Sequence, residues 1–333
     1  MKNRTLHTFL YVFSFSILMH SVANAQIGLS TSNSRFEIGL NIGPMNFLGD
    51  LGGNRGKGTI GPKDNNLPVT NVIGGISVSY YTREWFGFRL AGNIGRMEGS
   101  DALIKQNQPA DTYEAARKYR NLSFRSPLYE GYAGLEFYPT VLLSMRKDLG
   151  LPRFRPYLIG GIGLFKFNPQ AYYIDPVNNS NQFWVDLKPL RLEGQGMVET
   201  GIPEYKLVSY NIPLGVGIKY DLTERITFGI ELIHRMTGTD YIDDVSNKFI
   251  DPVLFDKYLS PDNAAIAKNL SNASEYYPSP VTGYYPYRIG AKRGNPKRND
   301  SYFSSTFRLT WKIGDVYADW FRNRNSLKCP AYF

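Results

Sequence analysis

Eight segments of this chain alternate bulky apolar residues with small or polar ones at a period of two. A run of such segments is the signature of antiparallel β-structure with two unlike faces. Phe36, Ile38, Leu40 and Ile42 alternate with Glu37, Gly39, Asn41 and Gly43. Ile76, Val78 and Tyr80 alternate with Gly75, Ser77 and Ser79. Phe86, Phe88, Leu90 and Ile94 face away from Gly87, Arg89, Ala91 and Asn93. Tyr129, Ala133, Leu135 and Phe137 face away from Glu130, Tyr132, Gly134 and Glu136. A fifth segment, roughly Arg155 to Phe167, is glycine-rich, and its facing is ambiguous. The sixth sets Val208, Tyr210, Ile212, Leu214, Val216 and Ile218 against Asn211, Gly215, Gly217 and Lys219. The seventh sets Phe228, Ile230 and Leu232 against Thr227, Gly229, Glu231 and Arg235. The eighth sets Phe303, Phe307, Leu309, Trp311 and Ile313 against Ser304, Thr306, Arg308 and Lys312.

Each run has about the 9–11 residues that a tilted strand needs to cross a bilayer. The connections separate a membrane barrel from a soluble one. Strands two and three join near Arg83-Glu84, strands six and seven near Thr223-Glu224-Arg225, and strands four and five through a moderate segment from Leu142 to Pro152. The other links are long: Leu48 to Pro68, Met97 to Leu122, Asn168 to Lys206 and Thr237 to Asp300. Short and long links alternate strictly, as in outer-membrane barrels with short periplasmic turns and long outer loops. An even strand number then puts both ends of the barrel in the periplasm. A soluble sandwich or a lipocalin-like barrel accounts for the alternation but not for long links confined to one end. The 24 Tyr and 20 Phe suit the aromatic girdles of a membrane barrel.

The start of the chain fits the same compartment. Lys2 and Arg4 precede an apolar run from Phe9 to Met19, and Ala23-Asn24-Ala25 forms a small-x-small cleavage site before Gln26. This is the three-part pattern of a secretory signal peptide. The run is too short for the ~20 residues of a spanning helix, and no cysteine follows it where a lipoprotein would carry one. The expected organisation is a signal peptide over 1–25, a periplasmic segment over 26–34, an eight-stranded antiparallel transmembrane barrel over 35–313 and a periplasmic tail over 314–333. The formal charge of +9 is scattered among aromatic strands and loops, so it reads as loop, lumen and rim charge and not as a nucleic-acid surface.

With the apolar faces toward lipid, the lumen receives Glu37, Arg89, Glu130, Glu136, Lys219, Glu231, Arg235, Arg308 and Lys312. A charge inside a narrow barrel needs a partner, so these nine are expected to pair into a polar plug. A selective pore is the other reading, and the interior of ~8 strands leaves it little room.

Chemistry is sparse. His234 is the only histidine beyond the export segment, and its parity puts it on the lipid face near the outer rim. Some small outer-membrane barrels are lipid-modifying enzymes that use a rim histidine with a serine. Here Arg235, Met236 and Thr237 follow, and a general base without a nucleophile in reach does no chemistry. The stretch Gly52 to Thr59 departs from a phosphate loop, because Leu51 stands where the first Gly belongs and Gly58 follows Lys57. Asp240, Asp243 and Asp244 lack the Gly and the distal Glu of a calcium loop. No cofactor is expected. The last long link carries Tyr276-Tyr277-Pro278, Tyr284-Tyr285-Pro286-Tyr287, then Lys292, Arg293, Lys297 and Arg298. It reads equally as a partner surface or as a stiffened lid.

Beyond the eighth strand the tail holds Trp320, Arg322, Arg324 and the chain's one cysteine, Cys329. A lone cysteine in an oxidising compartment either pairs between chains or stays a free thiol. Gly43-Pro44-Met45-Asn46-Phe47-Leu48-Gly49-Asp50-Leu51, Thr239-Asp240-Tyr241-Ile242-Asp243-Asp244-Val245-Ser246 and the Lys328-Cys329-Pro330 ending together resemble the outer-membrane barrel family that includes PorG of the type IX secretion system. The resemblance implies a non-enzymatic, eight-stranded barrel that anchors a periplasmic ring of PorK and PorN type. Trp320, Arg322, Arg324 and Cys329 are the candidate contacts. A surface barrel whose loops bind a ligand or another cell is the runner-up. Sensitivity to loss of the tail or of the outer loops distinguishes the two.

Overall fold

Alternation becomes a closed ring once each strand finds two antiparallel neighbours. The chain, described here by a computed structural model, is defined over residues 35–52, 67–104, 113–145, 152–175, 181–223, 225–273 and 289–313. The expected export segment, the 26–34 stretch, the loop after Gly52, the Tyr-Pro run and the tail with Trp320, Arg322, Arg324 and Cys329 lie outside these residues. The strands are β1 (Arg35–Leu48), β2 (Asn71–Arg83), β3 (Phe86–Ser100), β4 (Ser123–Phe137), β5 (Phe154–Phe167), β6 (Gln170–Ile174), β7 (Gln182–Asp186), β8 (Val208–Asp221), β9 (Ile226–Thr237) and β10 (Ser301–Ile313). The ring runs β1-β2-β3-β4-β5-β8-β9-β10, every neighbour antiparallel, and β10 returns to β1. It is a transmembrane β-barrel of the outer-membrane type.

The pleat sorts the two faces. Phe36, Ile38, Leu40 and Ile42 on β1 and Phe307, Leu309, Trp311 and Ile313 on β10 are exposed on the outer wall. Glu37, Arg308 and Lys312 are buried in the lumen. On β5 the face left ambiguous by its glycines is settled: Phe154, Leu158, Ile162 and Leu164 point out, and Arg155, Tyr157, Phe165 and Phe167 point in. At about 3.3 Å per residue and a tilt near 40°, Phe154 to Leu164 covers roughly 25 Å, the height of a bilayer's apolar band. Glycines relieve crowding where strands or rings meet closely. A Cβ at Gly43 would lie 2.1 Å from the Ser305 carbonyl oxygen, and one at Gly217 would lie 2.4 Å from the Tyr157 ring.

The structure refines the sequence reading in two respects. The long links carry secondary structure of their own: β6 and β7 form an extra hairpin within the β5–β8 link, attached to the upper end of β4 through Arg125 and Gln170. Helices α1 (Tyr113–Arg120), α3 (Val253–Tyr258) and α4 (Pro261–Ser271) occupy two other long links, and α2 (Pro139–Met145) fills the moderate one at the opposite end. Helix α4 begins where Ser260 accepts a hydrogen bond from the Asn263 N–H at 3.4 Å, with Pro261 in the first turn. Its Ala264, Ala267 and Leu270 face the hairpin, and with Tyr173, Leu190, Met197 and Phe255 they build a core above the membrane. The long loops therefore form a folded cap.

The second refinement concerns the lumen. It is polar over its middle and lower parts only. Toward the cap, Met45, Ile73, Met97, Leu128, Phe165 and Phe167 turn inward and pack with Leu122, Ile242 and Val245 from the loops. At the other end Val141 of α2 packs under Tyr81, Tyr138 and Tyr157.

Candidate functional site

The lumen charges fall into three layers, each fixed by strand parity. The middle layer joins three cations to three carboxylates. Arg89 Nε donates to Glu136 at 2.5 Å, and its terminal nitrogens reach Glu231 at 2.7 and 2.9 Å. Arg308 reaches Glu136 at 3.1 Å and Glu231 at 3.2 Å, and it also donates to Ser77 at 3.2 Å and Ser79 at 2.9 Å. Lys219 binds Glu37 at 2.8 Å and Glu136 at 3.4 Å. Tyrosines complete the shell. Tyr81 and Tyr138 each donate to Glu136 at 2.5 Å, and Tyr157 donates to Glu231. The Lys219 ammonium also lies 4.7 Å from the centre of the Tyr81 ring and 5.4 Å from that of Tyr138.

In the upper layer Glu130 gathers Arg235 at 2.9 Å, Asn211 at 2.6 Å, Asn93 at 2.7 Å and Tyr302 at 2.9 Å. In the lower layer Asp221 takes Arg155 at 2.5 Å and Lys312 at 2.8 Å. The structure thus brings Glu37, Arg89, Glu136, Lys219, Glu231 and Arg308 into one cluster and Glu130 and Arg235 into another. It gives Lys312 to Asp221, which sequence reasoning missed. Arg155 and the tyrosines Tyr81, Tyr138, Tyr157 and Tyr302 were missed as well. Tyr81, Asp221 and Tyr302 continue the inward parity of alternating runs, which is the signal that could have found them; Arg155 and Tyr157 lie on the glycine-rich β5, and Tyr138 lies just past β4.

Burial of this kind has a definite energetic form. Removing one partner of a desolvated pair leaves an uncompensated charge and costs about 3–5 kcal/mol. A surface pair contributes under about 1 kcal/mol.

A second polar cluster lies under the cap, where the two longest resemblance motifs meet. Asp243 accepts from the Leu51 N–H at 3.0 Å and from the Val245 N–H at 2.9 Å. Asp300 accepts from the Ile242 N–H at 2.9 Å. Asp244, in the left-handed region at φ 60, accepts from Tyr205 at 2.7 Å. Arg120 clasps Asp101 at 2.7 and 2.9 Å, and Arg293 pairs with Glu193 at 3.0 Å. These motifs build the mouth of the barrel. Asp243 and Asp244 point to different partners, and among the described residues no group of three or more His, Cys, Asp or Glu side chains is arranged to hold a metal ion.

Carboxylates outnumber cations here, and their proton affinities show it. Burial pushes Asp240 up to about 8 and Asp244 up to about 7. Burial, aided by neighbouring aspartates, holds Asp243 and Asp300 well above the usual carboxylate range.

His234 faces outward between Leu214 and Phe303 and is half-buried. Neither of these cross-strand neighbours is a nucleophile. Of the basic residues at the end of the last link, Arg293 is buried in the mouth, while Lys297 and Arg298 are exposed.

No family model matches the chain, and a search of curated proteins finds no match. Among solved structures it is similar to the outer membrane protein OprG of Pseudomonas aeruginosa, with 10% identity, 87% of this chain and 100% of that one covered, and a TM-score of 0.36. Neisserial surface protein A gives 9% identity, 85% and 100% coverage and a TM-score of 0.35. The attachment invasion locus protein Ail of Yersinia pestis gives 7%, 84%, 97% and 0.31. At these values the likenesses carry no argument about function. The barrel assignment rests on the strand pairing and burial described above.

Replacing Arg89 by Met should destabilise the barrel by up to about 3–5 kcal/mol, because Glu136 and Glu231 lose one of the two arginines they share and keep only Arg308 in common. Replacing Lys257, whose bond to Glu199 lies on the surface, should leave the unfolding midpoint essentially unchanged. Urea midpoints in detergent check both. The mouth should respond to pH in a stated direction. Asp240 and Asp244 bind protons more tightly folded than unfolded, where Asp titrates near ~3.9. The stability that their protonated forms lend the mouth is full below about pH 4, declines progressively above it, and is gone once pH has risen through 7 and 8. Hydrogen exchange over 239–246, corrected for intrinsic rates, should accelerate several-fold between pH 6 and pH 9, and Asp240→Asn should flatten the response.

Proposed function

We propose that this chain is a non-enzymatic outer-membrane barrel serving as a fixed, non-conducting anchor for a periplasmic ring of the type IX protein secretion machinery. The observation that carries the reading is the filled lumen. Three ion layers, an apolar upper plug and α2 leave the working surfaces at the two ends and on the wall. Export and residence in the outer membrane are supported by the signal peptide expected from the sequence and by the exposed apolar wall, which suits contact with lipid. The finer assignment draws on the resemblance carried by Gly43 to Leu51, Thr239 to Ser246 and Lys328-Cys329-Pro330. In this reading the partners are ring proteins of PorK and PorN type, contacted through Trp320, Arg322, Arg324 and Cys329. A surface barrel that binds a partner through its cap is the second reading, favoured by the cap's own folded core.

Deleting residues 319–333 should abolish type IX secretion while the barrel still inserts, whereas deleting the cap helices over 253–271 should not. Reversed sensitivities would favour the cap. A non-reducing gel of native outer membranes, with Cys329→Ser as control, should show a Cys329-dependent adduct with a periplasmic ring lipoprotein.

A further inference from the structure

One sector of the outer wall differs from the rest. On β3, β4 and β5 the outward row changes from apolar to basic at the cap end: Ile94 is followed by Arg96, Tyr129 is topped by Arg125, and Leu164 is followed by Lys166. Register places the three together. Lys166 lies opposite Tyr129, Arg96 opposite Pro127, and Arg125 opposite Glu98. At the same height the outward positions on β1, β2, β8, β9 and β10 among the described residues carry no Lys or Arg; they include Pro44, Val72, Val208, Met236 and Phe303.

Two further features belong to this sector. Above it, the Arg125 guanidinium lies 3.7 Å over the Trp184 ring, and Trp184 lies 5.2 Å from Tyr172. Both rings are about 40% exposed on the outer face of the β6–β7 hairpin. They are bordered by Gln170, which accepts from Arg125 Nε at 2.9 Å, by Asp186, which accepts from Gln170 at 2.7 Å, and by Gln182, which accepts from Tyr172 at 3.1 Å. Below it, the apolar wall has a depression of about 1050 Å³ walled by Ile76, Leu90, Ile162 and Leu164. Its floor is Gly92 and Gly131, direct cross-strand neighbours. A Cβ on Gly131 would meet nothing within 4 Å, and one on Gly92 only the Glu130 carbonyl oxygen at 4.0 Å. Packing within the chain does not require glycine at either position.

We propose that this sector holds one phosphorylated glycolipid of the outer leaflet, of the lipopolysaccharide class. The proposal rests on the outer-membrane reading. Acyl chains lie in the glycine-floored depression, phosphate groups meet Arg96, Arg125 and Lys166, and sugar rings pack against Trp184 and Tyr172. Strands about 4.8 Å apart, with the three positions staggered by two to four residues along them, spread the cations over roughly 8–14 Å, a span that suits two phosphates on a disaccharide better than the single phosphodiester of a glycerophospholipid. Arginine forms forked hydrogen bonds with phosphate oxygens, and the stack on Trp184 holds Arg125 in place. Glu98, 3.7 Å from Arg96, and Asp186 lower the sector's charge without cancelling it.

The test uses the purified full chain incubated with phosphatidylethanolamine vesicles containing either lipid A diphosphate or phosphatidylglycerol. Lipid retained after detergent washing is counted by mass spectrometry. The wild type should keep about one lipid A per barrel and at least tenfold less phosphatidylglycerol. The Arg96→Gln/Arg125→Gln/Lys166→Gln variant should lose lipid A at least tenfold, and Gly92→Leu/Gly131→Leu at least threefold. An unheated gel shift establishes that each variant is a folded barrel. Equal retention of phosphatidylglycerol, or unchanged lipid A on folded variants, would overturn the proposal. Fractionation of cells reads the compartment separately, so a failure of the outer-membrane reading is distinguishable from a failure of lipid binding.

Discussion

The closed lumen depends on neutralising charge where water is scarce. Eight strands enclose a space just wide enough for side chains, and this chain points arginines, lysines and carboxylates into it. Glu136 is the pivot: Arg89, Arg308, Lys219, Tyr81 and Tyr138 all converge on it. Those residues come from β3, β10, β8, β2 and the segment after β4, so one carboxylate ties most of the ring together across its diameter. An isolated charge there would be expensive to desolvate. A shared network satisfies each member several times and penalises any register slip, since a one-residue shift turns every lumen charge toward lipid.

The cap repeats this logic with a different balance. The interior network matches cations to carboxylates, whereas the mouth gathers more aspartates than arginines and accommodates them with backbone N–H donors and retained protons. Rigidity therefore differs along the barrel axis. The mouth is accordingly the part of the barrel expected to answer to pH.

Much of the fold was legible in the sequence because parity is a strong constraint. The lumen face of β1, β3, β4, β8, β9 and β10 could be read residue by residue, and the nine charges placed there are buried in the lumen. Three things were not legible. The glycines of β5 blur its two faces, hiding Arg155 and Tyr157. The inward Met45, Ile73, Met97 and Phe165 look like lipid-facing residues until the cap supplies Leu122, Ile242 and Val245 to pack on them. The cap itself joins the hairpin at 170–186 to helices at 253–271, a contact over some eighty residues that no local pattern encodes. The motifs at the mouth carry the family resemblance, and their physical work, anchoring the first loop to the last, emerges only in three dimensions.

In the proposed reading the filled lumen closes the barrel, which then acts through its surfaces. Single-channel recording of the purified full chain in planar bilayers tests this most directly. The account predicts no conductance steps above baseline at neutral pH in the wild type, even when a known porin in the same bilayers conducts. Stable, reproducible open channels from the wild type would contradict the plugged lumen and the anchor reading built on it.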